Sequence, residues 1–370
     1  MITLDITPLQ DISSGVGVYT RGLLTGLMQI LDKDSLSLCY QGEGLKGLSR
    51  EEEERLTYST RLPAYLLYKW WNRFNHPCLD SFLKGTKVYH NPNFYVPPTR
   101  KIKTITTVHD LAFLHFKETA SRRIVSIYED RYKTIWERSD AIITPSIFTR
   151  DDLLNLLPSL EGRVYPIYFG IDAFFKPLDK EMARKEVEKR FAIRGDFILH
   201  VGTIEIRKGH KTLFEAIKIL KDKAPLTVCA GKQGWGSREI ISMPSRLGIE
   251  DKVVFLGALG REDIRLLYNT ADIFVFPSLH EGFGMPVLEA CACGCPVIAS
   301  RNSSIPEIGG NAIQLFDTSD SKGLAESIQY LLDNEDIRQE ISQLGQERAG
   351  SFTWKRNAEE HCKVYNLLKG

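Results

Sequence analysis

The sequence predicts two doubly wound parallel α/β domains joined near Pro177. Three observations predict it. The chain has 370 residues, enough for two domains of ordinary size. Short β-branched runs alternate with longer amphipathic stretches, as in parallel α/β architecture. Several of the short runs are apolar at consecutive positions, as strands covered on both faces should be.

In the first half the strand candidates are Ile2 to Ile6, Leu36 to Tyr40, Val88 to His90, Thr104 to Val108 and Ala141 to Thr144. In the second half they are Phe197 to Val201, Leu226 to Ala230, Val253 to Leu256, Ile273 to Phe276 and Pro296 to Ala299. Between the sets, Gly170 to Gly195 holds Pro177 and a highly charged stretch from Asp179 to Arg190, a linker followed by an opening helix. Such domains present the carboxyl ends of their strands, and hence their ligand sites, to a shared cleft.

Hydrophobic residues make up 43% and charged residues 26%, a globular mixture with apolar mass for two cores. A net charge of +1 provides no global field for nucleic acid or an anionic membrane, so any basic site is local. Seven scattered cysteines form no disulfide framework. The opening Met1 to Asp5 lacks the regions of a signal peptide, and no run approaches the ~18 apolar residues of a membrane span. A cytoplasmic setting is expected. Asp32-Lys33-Asp34 reads as solvated surface, and Cys291, Cys293 and Cys295 as packing residues, because positions two apart on a helix face different sides. No metal site is expected. Leu62 to Phe74 carries Tyr65, Leu66, Tyr68, Trp70, Trp71 and Phe74 with Lys69 and Arg73, a pattern that suits either a buried helix or an interfacial one touching a membrane.

The segment Pro277-Ser278-Leu279-His280-Glu281-Gly282-Phe283-Gly284-Met285-Pro286-Val287-Leu288-Glu289-Ala290 follows a strand, passes a glycine-rich turn and enters a helix with proline in its first turn. Gly282 and Gly284 let backbone N–H groups approach a ligand, and the helix N-terminus favours an anion such as phosphate. Glu281 and Glu289 are suited to accept sugar or ribose hydroxyls beside it. In Val201-Gly202-Thr203-Ile204-Glu205-Ile206-Arg207-Lys208-Gly209-His210, a strand ends and a helix with the stripe Leu213, Phe214, Ile217 and Leu220 follows. Arg207 and Lys208 fall in the turn. One close cation is worth roughly 4 kcal/mol to a phosphate charge at an effective dielectric of 20. Gly15-Val16-Gly17 opens a helix over Val18 to Leu31, and there a backbone amide can approach a phosphate or an acceptor. It lacks the third glycine and acidic partner of a dinucleotide fingerprint, which argues against NAD. His109 ends a strand beside Asp110, where a near-neutral pKa suits proton transfer.

The 277–290 segment resembles the glutamate, seven residues, glutamate motif of glycosyltransferase family 4 in its glycines and proline. The resemblance extends along nearly the whole chain. Ser14 to Thr20 looks like the family's first glycine-rich loop, Thr106-Thr107-Val108-His109-Asp110-Leu111 like its strand-end histidine motif, and Ile143-Thr144-Pro145-Ser146 like its strand and serine before a helix. Gly170-Ile171-Asp172 resembles the interdomain signature, and Ser304-Ile305-Pro306-Glu307 and Phe352-Thr353-Trp354 the late landmarks. Many members carry arginine directly after Gly202; this chain has Thr203 with Arg207-Lys208 later, similar to a subgroup of which many members use GDP-mannose.

The resemblance implies a GT-B fold of two facing domains. Residues 1–177 would bind the acceptor, 178–352 the nucleotide sugar, and the helix within 353–370 would cross back to the first domain. It implies a retaining, metal-independent hexosyltransferase, with mannose from GDP-mannose as first reading. The acceptor would be a glycan or a polyprenyl-linked sugar in surface polysaccharide synthesis, reached from the cytoplasm or the inner face of a membrane. Site residues on this reading are His109 and Glu281 at the reacting centre, with Gly15, Gly17, Arg207, Lys208, Gly282, Phe283, Gly284 and Glu289 on the donor. The nucleotide-diphosphate sugar is a co-substrate, and no cofactor is expected. The rival functions are a UDP-sugar-dependent transferase, a sugar-nucleotide epimerase of the same fold and a catalytically silent nucleotide-sugar binder.

Overall fold

The computed structural model describes residues 1–369 except 43, 44, 46, 63, 94, 95 and 117–121. The chain divides into two compact units, Met1–Gly170 together with Phe352–Gly370, and Ile171–Ser351. Pro177 lies within the second unit.

The first unit is built on β1 (Ile2–Asp5), β2 (Leu36–Gln41), β3 (Leu56–Thr60), β4 (Val88–Asn91), β5 (Lys103–Thr107), β6 (Ala141–Thr144) and β7 (Val164–Pro166). They form one sheet in the order β3-β2-β1-β4-β5-β6-β7, with every pair parallel. The second unit contains β8 (Phe197–Val201), β9 (Leu226–Ala230), β10 (Val253–Gly257), β11 (Ile273–Phe276), β12 (Val297–Ser300) and β13 (Gln314–Phe316). Their order is β10-β9-β8-β11-β12-β13, again all parallel. In each sheet the order reverses beside the first strand, between β1 and β4 and between β8 and β11. A crevice for ligands forms at such a reversal, outside the strand carboxyl ends.

The ten strands expected from the sequence are present, with ends shifted by one residue at most. Three others, β3, β7 and β13, were not expected. All three are edge strands. In β3 burial alternates along Leu56-Thr57-Tyr58-Ser59-Thr60, and β7 and β13 are three residues each. Central strands such as β1, β6 and β11 are buried at every position and so carry the apolar runs that sequence reading detects. Leu213, Phe214 and Ile217 pack into the second core with Ile198, Val275 and Ile298.

The helix Trp354–Lys369 packs against the helix Gly15–Ile30 within the first unit. Small residues make the seat for Trp354. A Cβ on Gly22 would lie 2.0 Å from the Trp354 ring, one on Gly26 2.2 Å from its carbonyl oxygen, and one on Gly170 2.3 Å from its nitrogen. Below it runs a chain of buried hydrogen bonds whose direction is set at one end. The Asn357 carbonyl can only accept, so His361 Nδ1–H donates to it at 2.7 Å. His361 Nε2 then accepts from the Tyr19 hydroxyl at 2.9 Å. Tyr19 in turn accepts from Thr107 at 2.9 Å, and Thr107 from His90 Nε2–H at 2.9 Å. Finally, His90 Nδ1 accepts from Tyr365 at 2.7 Å. Burial holds both imidazoles below the ordinary histidine pKa, His361 at about 4, so they stay neutral and the chain stays intact.

Gly22→Ala should destabilise the first unit by about 1–3 kcal/mol, the usual cost of overpacking a filled site. Thermal melts followed by circular dichroism measure it, and an unchanged Tm would mean that Trp354 does not occupy that seat. The buried histidines also predict acid sensitivity. Their folded pKa lies below the unfolded value of about 6.5, so stability is full above that value and falls as pH drops from there toward about 4. Tm measured across this window should decline, and less steeply in His361→Gln.

Candidate active site

The loops that leave β8 and β11 meet because those strands are neighbours, with Ile273 beside Ile198 and Phe274 beside Leu199. After β8 the chain makes a short turn, Ile206–Lys208, and enters the helix His210–Leu220 at Gly209. Gly209 has φ of +71°, and a Cβ there would lie 1.9 Å from the Pro277 carbonyl oxygen, so only glycine lets the two loops touch. The contact is sealed by Leu279 N–H donating to the Arg207 carbonyl at 2.7 Å.

Arg207, Lys208 and Glu281 converge there. Lys208 Nζ lies 2.6 Å from Glu281 Oε1, and the Ser278 hydroxyl donates to the same oxygen at 2.5 Å. Arg207 Nη1 donates to the His280 carbonyl at 2.7 Å and stands 3.6 Å from Glu281 Oε1, while Nη2 donates to Glu205 Oε1 at 2.9 Å. The Glu281 backbone is held at both ends: its N–H donates to Ser303 Oγ at 3.0 Å, and its carbonyl accepts from Ser304 Oγ at 2.9 Å. Glu281 is 8% exposed. Burial by itself would raise its carboxyl pKa, but the Lys208 and Arg207 charges, with the hydrogen bonds from Lys208 and Ser278, hold it at about 2. The cluster of two cations and two carboxylates is thus electroneutral. Behind it, burial keeps His200 and His210 neutral, with pKa values at about 4 and about 2. Lys208 also lies 5.5 Å over the Phe276 ring.

Gly282 and Phe283 are buried in the turn, and Gly284 caps the helix Met285–Ala292 with φ of +94°. Pro286 occupies the first turn, where its missing N–H costs nothing. Glu289 lies in the second turn, partly exposed, and accepts from the Tyr268 hydroxyl at 3.3 Å. Burial raises its carboxyl to about 7, against the Tyr268 hydrogen bond and the Arg261 charge, which lower it. Near neutral pH Glu289 is therefore shared between acid and carboxylate, whereas Glu281 is a carboxylate throughout.

In the first unit His109 follows β5. Its Nε2–H donates to the Pro92 carbonyl at 2.9 Å, which fixes the tautomer and leaves Nδ1 as an acceptor. Burial lowers its pKa despite that hydrogen bond and the nearby Asp110. The Tyr19 ring meets it edge-on at 5.0 Å. Gly15 begins its helix one residue after the Ser14 cap. The Gly17 N–H donates to Ser14 Oγ at 3.1 Å, and a Cβ on Gly17 would lie 2.1 Å from the Asp11 carbonyl oxygen. The missing side chain of Gly17 thus makes room for the preceding turn of its own chain.

Of the remaining features, Asp32 accepts from Ser35 N–H at 2.8 Å in an exposed turn, and Cys291, Cys293 and Cys295 are buried thiols outside any disulfide, with Cys295 Sγ donating to the Ala271 carbonyl at 3.6 Å. Sequence reading missed Glu205, Tyr268, Ser278, Ser303 and Ser304. Ser278 and Ser304 sit inside the segments that carried the resemblance, but a serine announces nothing until its partner is known. It also treated the cations and Glu281 as separate groups, and the structure joins them.

Removing one partner of a buried ion pair leaves the other uncompensated, so Lys208→Met should cost about 3–5 kcal/mol in the second unit. The double variant Lys208→Met, Glu281→Leu should recover most of it. Urea denaturation of these two variants and of Glu281→Leu alone measures the coupling; a double loss equal to the sum of the single losses would show that the pair is not coupled.

Residues 13–173 match the sequence model described as Glycosyltransferase Family 4, and residues 183–348 the one described as Glycosyl transferases group 1. An O-antigen chain mannosyltransferase B from Escherichia coli is 27% identical over 98% of both chains. A D-inositol 3-phosphate glycosyltransferase from Corynebacterium jeikeium is 29% identical over 74% of this chain and 67% of its own. Among solved structures, a sucrose-phosphate synthase from Thermosynechococcus elongatus superposes with a TM-score of 0.78 at 22% identity, over 99% of this chain and 98% of that one. An Anabaena protein solved with UDP and glucose does so at 0.74 and 16% identity, over 99% of both. With the two parallel sheets, these matches show that the chain belongs to glycosyltransferase family 4 and has the GT-B fold.

Proposed function

We propose that this glycosyltransferase moves a hexose, mannose from GDP-mannose as first reading, onto a glycan or polyprenyl-linked acceptor in surface polysaccharide synthesis, with retention of configuration and without a metal. The observation that carries the proposal is the Arg207–Lys208–Glu281 cluster at the strand-order reversal, beside a glycine turn and a helix N-terminus. Similarity to the Escherichia coli mannosyltransferase along the whole chain supports the sugar and the pathway.

On this reading the acceptor hydroxyl attacks the anomeric carbon from the face the diphosphate leaves. The carbon–oxygen bond to phosphate breaks, the electron pair goes to the phosphate oxygen, and that oxygen takes the acceptor proton. Lys208, Arg207 and the amides of the 282–285 turn stabilise the departing charge. Because both cations are already shared with carboxylates, binding the diphosphate means redistributing them rather than filling an empty clamp. Glu281 stands beside the transferred sugar, where a carboxylate favours developing positive charge. Glu289 accepts the ribose hydroxyls. His109, whose Nδ1 is left as an acceptor, contacts the donor sugar, and Gly15 and Gly17 line the approach to it. A lipid-linked acceptor would bring the enzyme to the cytoplasmic face of a membrane. No helix among the described residues is long and apolar enough to cross one, and the exposed side chains of Leu62, Tyr65, Leu66, Trp70 and Phe74 support peripheral contact instead.

Selective ligand binding raises apparent stability by mass action, so thermal shift across UDP-, GDP- and ADP-sugars identifies the donor. GDP-mannose should shift Tm most, and a preference for a UDP-sugar would favour the rival transferase. Transfer of labelled mannose should persist in excess EDTA; activity abolished there and restored by magnesium or manganese would overturn the metal-free reading.

The two glutamates should separate kinetically. Glu289→Ala should raise the donor KM with little change in kcat, because ribose is gripped equally in the ground and transition states. Glu281→Ala should lower kcat, because its charge matters most as the bond breaks. The Glu289 pKa of about 7 adds a signature, since ionisation makes the better hydroxyl acceptor. The donor KM should therefore fall as pH rises through about 7, and Glu289→Gln should flatten that profile. Small, equal effects in both variants would overturn these roles.

A further inference from the structure

The helix Ala64–Phe74 has two apolar faces. Tyr68 and Trp71 are buried, and the Tyr68 hydroxyl and Asn72 amide both bond Asp130 Oδ2, at 3.2 and 2.9 Å, which docks the helix on the unit. The opposite stripe faces outward. Tyr65, Leu66, Trp70 and Phe74, with Leu62 just before the helix, are each 44–55% exposed. Pro63 lies outside the described residues. Lys69 and Arg73 are interleaved with the stripe, 5.9 Å over the Tyr65 ring and 5.4 Å over the Phe74 ring. From Leu56 through Leu79 the chain has no acidic residue.

A pocket of about 600 Å³ opens at the C-terminal end of this helix. It starts at Asn75, and Arg138 on its wall donates to the Trp71 carbonyl at 3.2 Å, so helix and pocket share one guanidinium. It lies at the amino ends of β5, β6 and β7, the end of the sheet opposite His109. Its walls carry Arg100, Lys101, Lys103, Arg138 and Arg163 against Glu137 and Asp140, five cations to two carboxylates. Lys103 is paired with Asp140 at 2.7 Å, whereas the Arg100 and Lys101 side chains have no partner among the described residues. Their backbone is rigid nonetheless. The Asp80 carboxylate accepts from the N–H groups of Arg100, Lys101 and Ile102 at 2.9, 2.7 and 3.2 Å.

We infer that this face docks on an anionic phospholipid surface, with the exposed aromatic stripe in the headgroup–acyl boundary and a headgroup phosphate in the Arg100–Lys101 pocket. Two properties select a lipid surface over other anions. Tyr and Trp rings exposed beside cations suit the boundary between water and hydrocarbon. The surplus of pocket cations, in a chain of net charge +1, concentrates positive charge at the end of the aromatic stripe. The inference deepens the membrane-contact part of the proposed function but is read without any sugar transfer, so the two can fail separately.

The test is co-sedimentation of the full chain with vesicles of phosphatidylcholine alone, or of phosphatidylcholine and phosphatidylglycerol in equal parts, at physiological salt. The protein should partition onto the mixed vesicles and only weakly onto the neutral ones. Trp70→Ser, Phe74→Ser should abolish binding. Arg100→Gln, Lys101→Gln should lower the partition coefficient about 25-fold, roughly fivefold for each cation brought to an anionic surface. Lys211→Gln, Lys218→Gln, a pair of exposed cations in the second unit, should change nothing. Unaltered melting temperatures confirm that the surface variants fold. Equal partition onto neutral vesicles, no partition onto either, or full binding by the Arg100→Gln, Lys101→Gln variant would overturn the inference.

Discussion

Two strands far apart in the chain, β8 and β11, lie side by side in a parallel sheet, and the site of the second unit depends on that adjacency. Chain leaving neighbouring parallel strands at the same end must either diverge or find partners for its polar groups. Here it finds them. The Arg207 carbonyl takes Leu279 N–H, the Arg207 guanidinium takes the His280 carbonyl, and Lys208 takes Glu281 across 73 positions of sequence. The same contacts that seal the sheet end therefore place the charges. A site made this way is rigid before any ligand arrives, and rigidity is the main resource for catalysis by positioning and electrostatics.

On the proposed reading, the electroneutrality of that cluster separates two sources of affinity for the donor diphosphate. Arg207 and Lys208 are matched by Glu205 and Glu281. The amides at the start of Met285–Ala292 are not matched by any carboxylate in the first turn of that helix. On the proposed reading the helix end adds attraction through its dipole, while the cations contribute by exchange of partners. Exchange also ties the position of Glu281 to whatever Lys208 is holding.

Much of this was legible in the sequence, for identifiable reasons. Strands buried on both faces write themselves as apolar runs, so β1, β6 and β11 were readable, whereas the edge strands β3, β7 and β13 have one wet side or too few residues. Candidate site residues stood out because glycine, proline and glutamate in a fixed order at a strand end have few other uses. Their pairing was not, since the ion pair between Lys208 and Glu281 is a property of strand order and no local pattern encodes it. Gly17 illustrates another limit: beside any ligand approach, its missing side chain leaves room for the carbonyl of Asp11, a packing demand that the sequence does not announce.

The seat of Trp354 has a consequence for how the molecule is made. The second unit is one continuous stretch, Ile171–Ser351, and can acquire all its contacts as it emerges during synthesis. The first unit cannot, because the helix that fills the groove of Gly22 and Gly26 and completes the Tyr19–His361 hydrogen bond lies on the far side of that stretch. Until Trp354–Lys369 emerges, the groove and the buried hydroxyl of Tyr19 stand open to water, and the first unit must persist as an incomplete intermediate while its neighbour matures. Completion then waits on a long-range closure across an already folded body, a slow kind of step in chain topology. The helix Trp354–Lys369 is accordingly the latch on a part of the chain made well before it.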